Sequence, residues 1–385
     1  MNNKSNFKGV VLQIDPRGVI IAGGNEVVRR QQHYASKLSN LRVKNFLDLV
    51  VISASKSYKK ISDSKSNFYF YTVPSSNFNI LSYISKVIRL CKSENMSLRL
   101  IVAGDPWESL ICAKIIRFFL NKHIPIQVHI HADICNPVWM NLTWRNWIRS
   151  FVAQLALKNV ESIRTVGDTQ TKYIMKRCKL KESRVRVIPV PINSHLFILS
   201  SVKTRPASVA FIGRLQKDRG IDRFVKLVKI LNLNNKLVEF IIAGSGPDKE
   251  IFLRKIESLL TKSGYRYLGQ LSELELKKVW RNVGVLVSTA PAESYGMAMR
   301  EALVAGIPVW ATKSSGVEDL ISKAGKDAVK ILDLSKSSRE LNRELNQLLK
   351  SKVSLSFRRQ FIKDNSTYAQ LLAKSWVDLI DKQKK

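Results

Sequence analysis

Short apolar runs recur along the chain. Each ends in a glycine or a polar residue and is followed by a stretch with helical spacing. In the first half, GVVLQI (9–14), FLDLVVIS (46–53), LRLIVAGD (98–105) and IPIQVHIHAD (124–133) read as buried strands. Residues 25–41, 77–94, 107–122 and 141–159 read as helices, and SIRTVG (162–167) and RVRVIPVPI (184–192) close the half. The polar, basic stretch 54–66 reads as a solvated loop. The pattern then restarts with SVAFIGRL (208–215), VEFIIAGSG (238–246), YRYLGQL (265–271), VGVLVSTA (283–290) and GIPVWAT (306–312). Helices are expected at 220–232, 247–262, 273–282 and 296–306, a further one from 316, and a basic one over 356–382.

Strands alternating with helices imply parallel sheets with crossover helices, an α/β fold. Two such runs, joined near 193–207, imply two doubly wound Rossmann-like domains facing each other across a cleft. The expected boundaries are 1–195 for the first domain and 206–355 for the second, with a C-terminal helix, 356–385, crossing back to the first. In open parallel sheets ligands bind beyond the carboxyl ends of the strands. The polar residues that follow the apolar runs are Gly23-Gly24, Asp105, His131, Asp133, Gly213-Arg214, Gly244-Ser245-Gly246 and Glu293.

Composition narrows the class. Of 385 residues, 45% are hydrophobic, enough for two ordinary cores and against a disordered chain. Lysine and arginine number 64 against 30 acidic residues, a net +34 that attracts polyanions: nucleic acid, anionic lipid or phosphorylated substrates. Cys91, Cys112, Cys135 and Cys178 are scattered with no zinc-knuckle or CxxC spacing, which reads as buried free thiols in a reducing compartment. The N-terminal residues are too polar for a signal peptide, and no stretch approaches the ~20 apolar residues of a spanning helix. The expectation is a cytoplasmic protein, with peripheral contact at the inner membrane left open.

The second half carries the sharper chemistry. In FIGRLQKDRG, Gly213 lets the backbone turn or approach a ligand. Arg214 and Arg219 stand at the mouth of the next helix, where two guanidiniums beside a helix N-terminus suit a diphosphate. Two solvated arginines would leave the same sequence. AGSGPDKE reads as a tight turn at Gly244 and Gly246 before a helix with Pro247 at its start. In PAESYGMAMREALVAGIPV (291–309), Glu293 sits in the loop after a strand, and Ser294, Tyr295 and Gly296 lead into a helix whose first N–H groups suit an anion. Glu301 follows eight positions later, among Ala298, Met299, Ala302 and Leu303, where a carboxylate needs a partner or a ligand. The two carboxylates are placed for a sugar hydroxyl and a ribose, or, more plainly, for stabilising a helix dipole.

GRLxxxxG, the glycine turn and ESYGxxxxEA with AGIPV behind it resemble the donor-binding half of the family 4 retaining glycosyltransferases of the GT-B fold, the group 1 glycosyltransferases. The spacing of Glu293 and Glu301 is that family's E-x7-E. The resemblance covers 208–323 and is fainter upstream. It implies that Arg214 binds the donor diphosphate, together with Arg219 where the family usually has lysine. Glu293 would contact the transferred sugar and Glu301 the nucleotide ribose. The backbone of Tyr295, Gly296, Met297 and Ala298 would lie by sugar and diphosphate. Ser315-Gly316 stands where the family usually has a glycine pair. No metal and no other cofactor is implied, and no D-x-D motif is present. The nucleotide sugar is then a substrate, passed with retention to a glycan or lipid-linked acceptor, as in cell-surface polysaccharide synthesis.

In the first half, Gly23-Gly24 would form a loop facing phosphate or acceptor, although a simple turn would look the same. His129 and His131 share one strand face until the strand ends. His131 resembles the family's histidine near the reacting sugar, with Asp133 to orient it or engage the acceptor. His129 reads as a packed, hydrogen-bonded residue, and no third ligand at matching spacing supports zinc. NPVWMNLTWRNWIRSF (136–151) sets Trp139, Trp144 and Trp147 beside Arg145 and Arg149, which suits an anionic membrane surface or, with the rings turned inward, a core helix. Three other readings stand beside the glycosyltransferase: a nucleotide-sugar epimerase or a non-catalytic relative on the same scaffold, and a basic nucleic-acid-binding protein. For the last, the charge is spread along the chain and no nucleic-acid-reading motif appears.

Overall fold

The computed structural model describes residues 7, 9–41, 47–75, 79–197, 206–232, 238–261 and 264–383. The chain divides into two compact units. The first is Met1–Cys135, Thr143–Val190 and Thr367–Lys385; the second is Asn136–Leu142 and Pro191–Ser366.

The first unit is built on an eight-stranded sheet: β1 (Val10–Asp15), β2 (Asp48–Ser55), β3 (Lys59–Asp63), β4 (Phe68–Pro74), β5 (Leu98–Ala103), β6 (Ile126–His129), β7 (Ser162–Thr165) and β8 (Val185–Val187). Their order is β3-β4-β2-β1-β5-β6-β7-β8. All neighbours are parallel except β3, which runs antiparallel to β4. Every residue of β1 is buried, as expected of a strand covered on both faces. The helices are α1 (Val19–Ala22), α2 (Gly24–Asn40), α3 (Ile80–Ser93), α4 (Glu108–Leu120), α6 (Trp144–Ala156) and α7 (Asp168–Cys178), while α5 (Pro137–Met140) counts with the second unit. One face of the sheet, through Val11, Leu49, Val51, Phe68, Phe70 and Val102, packs with Tyr34 and Leu38 of α2 and with Leu372 and Trp376 near the C-terminus.

The stretch expected as the loop 54–66 instead finishes β2 and supplies β3. β3 is an edge strand with Lys59, Lys60 and Ser62 exposed. An edge strand with lysines outward is a common guard against edge-to-edge pairing, and it has the composition of a loop. The helix expected over 141–159 is also broken. Asn136 caps α5, Thr143 caps α6 by accepting from Asn146 N–H at 3.1 Å, and a short 3-10 turn follows.

The second unit has a six-stranded, fully parallel sheet: β9 (Ser208–Ile212), β10 (Glu239–Ala243), β11 (Tyr265–Tyr267), β12 (Val285–Ser288), β13 (Val309–Ala311) and β14 (Val329–Ile331), in the order β11-β10-β9-β12-β13-β14. Its helices are α8 (Ile221–Asn232), α9 (Lys249–Glu257), α10 (Glu273–Trp280), α11 (Met297–Val304), α12 (Ser315–Ala324), α13 (Ser338–Lys350) and the first part of α14 (Leu355–Lys382). Alternation along the strands divides two cores. Val209, Phe211, Phe240 and Ile242 face Phe224, Phe252 and Leu345; Ala210, Ile241 and Leu286 face Met299, Leu303 and Leu320. Strand order reverses between β1 and β5 in one sheet and between β9 and β12 in the other. These switch points are where α/β sheets bind ligands.

Candidate active site

At the second unit's switch point, β9 delivers Gly213 and Arg214, and β12 delivers the loop carrying Glu293. Two glycines let the β9 and β10 turns lie against each other. A Cβ on Gly244 would sit 1.9 Å from the Gly213 carbonyl oxygen, and one on Gly246 2.3 Å from that of Leu215. Gly244 also has φ +131°, a conformation L residues rarely adopt. The turns are then laced by Gly213 N–H to the Ala243 carbonyl at 3.0 Å and Leu215 N–H to the Ser245 carbonyl at 3.0 Å. The Cβ direction of Gly213 meets nothing within 4 Å. Its open side leaves backbone accessible, and the Arg214 side chain beside it is exposed.

Arg219 ends the 3-10 turn before α8, and Gly220 packs so closely on β12 that a Cβ would lie 2.0 Å from the Thr289 carbonyl oxygen. This contact carries Arg219 to Glu293, with Nη1 and Oε2 2.7 Å apart. The two residues were expected on different parts of the donor, guanidinium on diphosphate and carboxylate on sugar; here they form one ion pair.

The Glu293 loop is clamped from behind. Gly316 N–H donates to the Glu293 carbonyl at 2.8 Å, and a Cβ on Gly316 would lie 2.7 Å from that oxygen and 2.9 Å from Tyr295 N. Of the Ser315-Gly316 pair, Gly316 is therefore the position that demands glycine. Ser294 and Tyr295 are buried, and the Arg300 guanidinium lies over the Tyr295 ring at 3.6 Å. Sequence reasoning missed Arg300, whose partner is five positions back on the same motif. Gly296, φ +72°, begins α11. Met297 is exposed, Ala298 is half-buried, and Glu301, in the fifth position of α11, is also half-buried. The structure thus gathers Gly213, Arg214, Arg219, Gly244, Glu293 and Ser294–Ala298 at the carboxyl edge of β9, β10 and β12.

In the first unit, Asp15 at the end of β1 is a group the sequence reading did not single out. Its carboxylate accepts from Val19 N–H at 3.0 Å, Ile20 N–H at 2.7 Å and Ser53 Oγ at 2.8 Å, fixing the start of α1. Burial raises its pKa, and these hydrogen bonds oppose the rise. Across the same switch point Asp105 receives Ser109 Oγ at 2.6 Å and Arg17 at 3.4 Å, and burial raises its pKa as well. Gly23 and Gly24 do not form a loop. They are the exposed break between α1 and α2, Gly24 with φ +73° and open space on its Cβ side. The reason is Asp15: its capping of the preceding backbone turns residues 19–22 into helix.

His131 lies just beyond β6, exposed, its ring 6.0 Å from that of His129 in an edge arrangement. Surrounding protein and the Arg164 and Arg30 guanidiniums push its pKa down to about 3. His129 is buried, with Nε2 3.1 Å from Gln127 Oε1 and Nδ1 3.4 Å from Arg164 Nη1. Arginine can only donate, so Nδ1 accepts and Nε2 carries the proton. Arg164, also buried, donates to the Ile188 and Pro189 carbonyls at 2.8 and 2.9 Å. Asp133, expected to face the acceptor, is 2% exposed. The four cysteines are free and buried, Cys135 and Cys178 with sulfurs 3.8 Å apart.

Two doubly wound α/β units whose polar residues collect at the switch points define the GT-B glycosyltransferase fold, and solved structures agree. Sucrose-phosphate synthase from Thermosynechococcus elongatus superposes with a TM-score of 0.67 at 15% identity, covering 97% of this chain and 94% of that one. Anabaena HepE in complex with UDP-glucose does so with 0.64 at 16% identity, covering 97% and 98%. More particularly, residues 199–367 match the family model "Glycosyl transferases group 1". A curated relative, the 2-deoxystreptamine N-acetyl-D-glucosaminyltransferase of Niallia circulans, is 23% identical over 57% of this chain and 59% of its own length, so the chain spans under two thirds of that relative.

Proposed function

We propose that this protein is a retaining, family 4-type glycosyltransferase that takes a sugar from a nucleoside-diphosphate sugar held by its second unit and passes it to a hydroxyl acceptor engaged by its first. The observation that carries the reading is the Arg219–Glu293 pair beside exposed Arg214 at the β9/β12 switch point. A donor diphosphate competes with Glu293 for Arg219. When it takes the guanidinium, the carboxylate is released to accept from sugar hydroxyls, so donor binding itself readies the acidic group. Arg214 and the N-termini of α8 and α11 meet the charge that develops on the leaving diphosphate. Glu301 holds the ribose. His131 serves as a hydrogen-bond partner: the protein around it, then the Arg164 and Arg30 guanidiniums, favour the neutral imidazole, which has one N–H to donate and one nitrogen to accept. The leaving phosphate takes the acceptor's proton, and the new bond forms on the face the diphosphate leaves. UDP is the first nucleotide to test, since the fold neighbour HepE was solved with UDP-glucose.

The test is calorimetric titration with UDP and UDP-sugars, followed by a transfer assay with the product anomer read by NMR. Arg214→Ala is expected to weaken donor binding ~10- to 100-fold, the range for losing charge-assisted hydrogen bonds. Glu293→Ala is expected to abolish transfer while the bare nucleotide still binds. Inversion at the anomeric carbon would overturn the retaining assignment, and a wild-type protein that binds no nucleoside diphosphate would overturn the whole reading.

A further inference from the structure

Helix α6 is built inside out. Its apolar residues Trp144, Trp147, Ile148, Phe151 and Leu155 fall at helical spacing on one face, the stripe that ordinarily turns to the core. Here that stripe is the outer face: Trp144 is 70% exposed, Trp147 57% and Phe151 54%, while the helix buries only Ser150 and Ala153. The Trp147 and Phe151 rings are stacked at 6.3 Å, and Arg145 lies over Trp144 at 5.6 Å. This disposes of the reading in which these tryptophans fill a core.

The face continues onto α4. Arg149 reaches Glu108 at 3.1 Å and Lys114 donates to the Ala156 carbonyl at 2.8 Å, so the two helices lie side by side. α4 turns Phe118 and Phe119 outward, each 62% exposed. On the other side of α6, α7 exposes Lys172, Lys176 and Arg177. α4 and α6 thus present exposed aromatics and α7 exposed cations, on a chain of net charge +34.

We propose that this α4–α6–α7 face of the first unit is a docking surface for an anionic lipid bilayer. Tryptophan and phenylalanine suit the interfacial layer, the exposed cations suit acidic headgroups, and no helix among the described residues is long and apolar enough to cross the membrane. Charge decides the occupant: a second copy related by symmetry would bring the same cations against themselves. The inference stands apart from the catalytic reading and shares none of its residues.

The experiment is flotation of the full chain with phosphatidylglycerol-containing and pure phosphatidylcholine vesicles, at low and high salt. The wild type is expected to float with the anionic vesicles and to be released by salt. Trp147→Ser/Phe151→Ser is expected to bind at least ~10-fold more weakly, as follows from withdrawing two large apolar side chains from contact. Lys172→Glu/Lys176→Glu/Arg177→Glu is expected to lose the preference for anionic lipid. All of these side chains are on the surface, so the melting temperature and its shift with UDP should match the wild type. Undiminished flotation of both variants, equal binding to neutral vesicles, no flotation at low salt, or a dimer that the aromatic variant dissolves would each overturn the proposal. Vesicle binding by Glu293→Ala is expected to be normal. A protein that floats but binds no nucleotide keeps this surface and loses the glycosyltransferase reading.

Discussion

Gly316 and Glu293 are far apart in the motif, yet the Gly316 N–H holds the Glu293 carbonyl at 2.8 Å with no room for a Cβ. Gly316→Ala must push the Glu293 loop away. The expected result is a stability loss of ~1–3 kcal/mol, the usual cost of overpacking, together with weaker donor binding. Chemical denaturation and titration with UDP measure the two effects, and a variant unchanged in both would show the loop to be slack. His129 allows a second prediction at this scale. Burial, then Arg164 and His131, hold its pKa well below 6.5 in the folded chain, so between that depressed value and 6.5 only the unfolded chain takes up the proton. Stability then rises with pH across this window and falls on acidification. The melting temperature should drop from pH 7 to pH 5, and His129→Gln should flatten the slope even though it lowers the value at pH 7. At this scale, Arg214 and Glu293 were legible because the motif that marks them is local. The Gln127–His129–Arg164 network was not, since Arg164 stands 35 positions from His129, and Gln127 is reached by Trp376 from 249 positions away.

Elements were legible where hydrophobic period and punctuation agree. The strand-turn-helix units at β9, β10 and β12 each end in a glycine or a loop that the sequence displays. They proved shorter than the apolar runs, because Gly213 and Gly244 leave the sheet to meet each other, and the Glu293 loop leaves it to meet Arg219 and Gly316. β3, β4, β14, α7 and α13 were not read, and three of them show why. β3 is an edge strand with lysines outward, and β14 has three residues. α13 shows how far a polar sequence can hide a helix: SRELNRELNQLLK puts Leu341, Leu345 and Leu348 on one buried face, and apart from Leu349 the other residues are polar or charged. Its start is marked by a capping box, Ser337 accepting from Glu340 N–H while Glu340 receives Ser337 N–H at 3.0 Å. Ser337→Ala should therefore cost about 1 kcal/mol, the usual worth of an N-cap, and should leave nucleotide binding untouched because the Ser337–Glu340 box bonds to none of the residues gathered at β9, β10 and β12. A loss of donor affinity in that variant would tie the helix to the site.

Across the whole molecule the fold class followed from the alternation of strands and helices, and a C-terminal helix returning to the first domain was expected; the residue at which α14 changes core, Thr367, is marked by nothing local. α14 starts in the second unit and from Thr367 belongs to the first, where Trp376 is fully buried against the sheet and donates to Gln127 at 2.8 Å. The first unit thus completes its core with the last residues of the chain, and the second holds separate cores of its own on either face of β9–β14. Trp376→Ala removes a large ring and a buried hydrogen bond, a loss of ~3–5 kcal/mol for the unit that contains it. Scanning calorimetry should show that loss in the first unit's transition. UDP should raise the second unit's transition, since a ligand stabilises the part that binds it. If UDP restored the transition that Trp376→Ala lowers, the nucleotide would be engaging the first unit, and the assignment of donor and acceptor to the two halves would have to be exchanged.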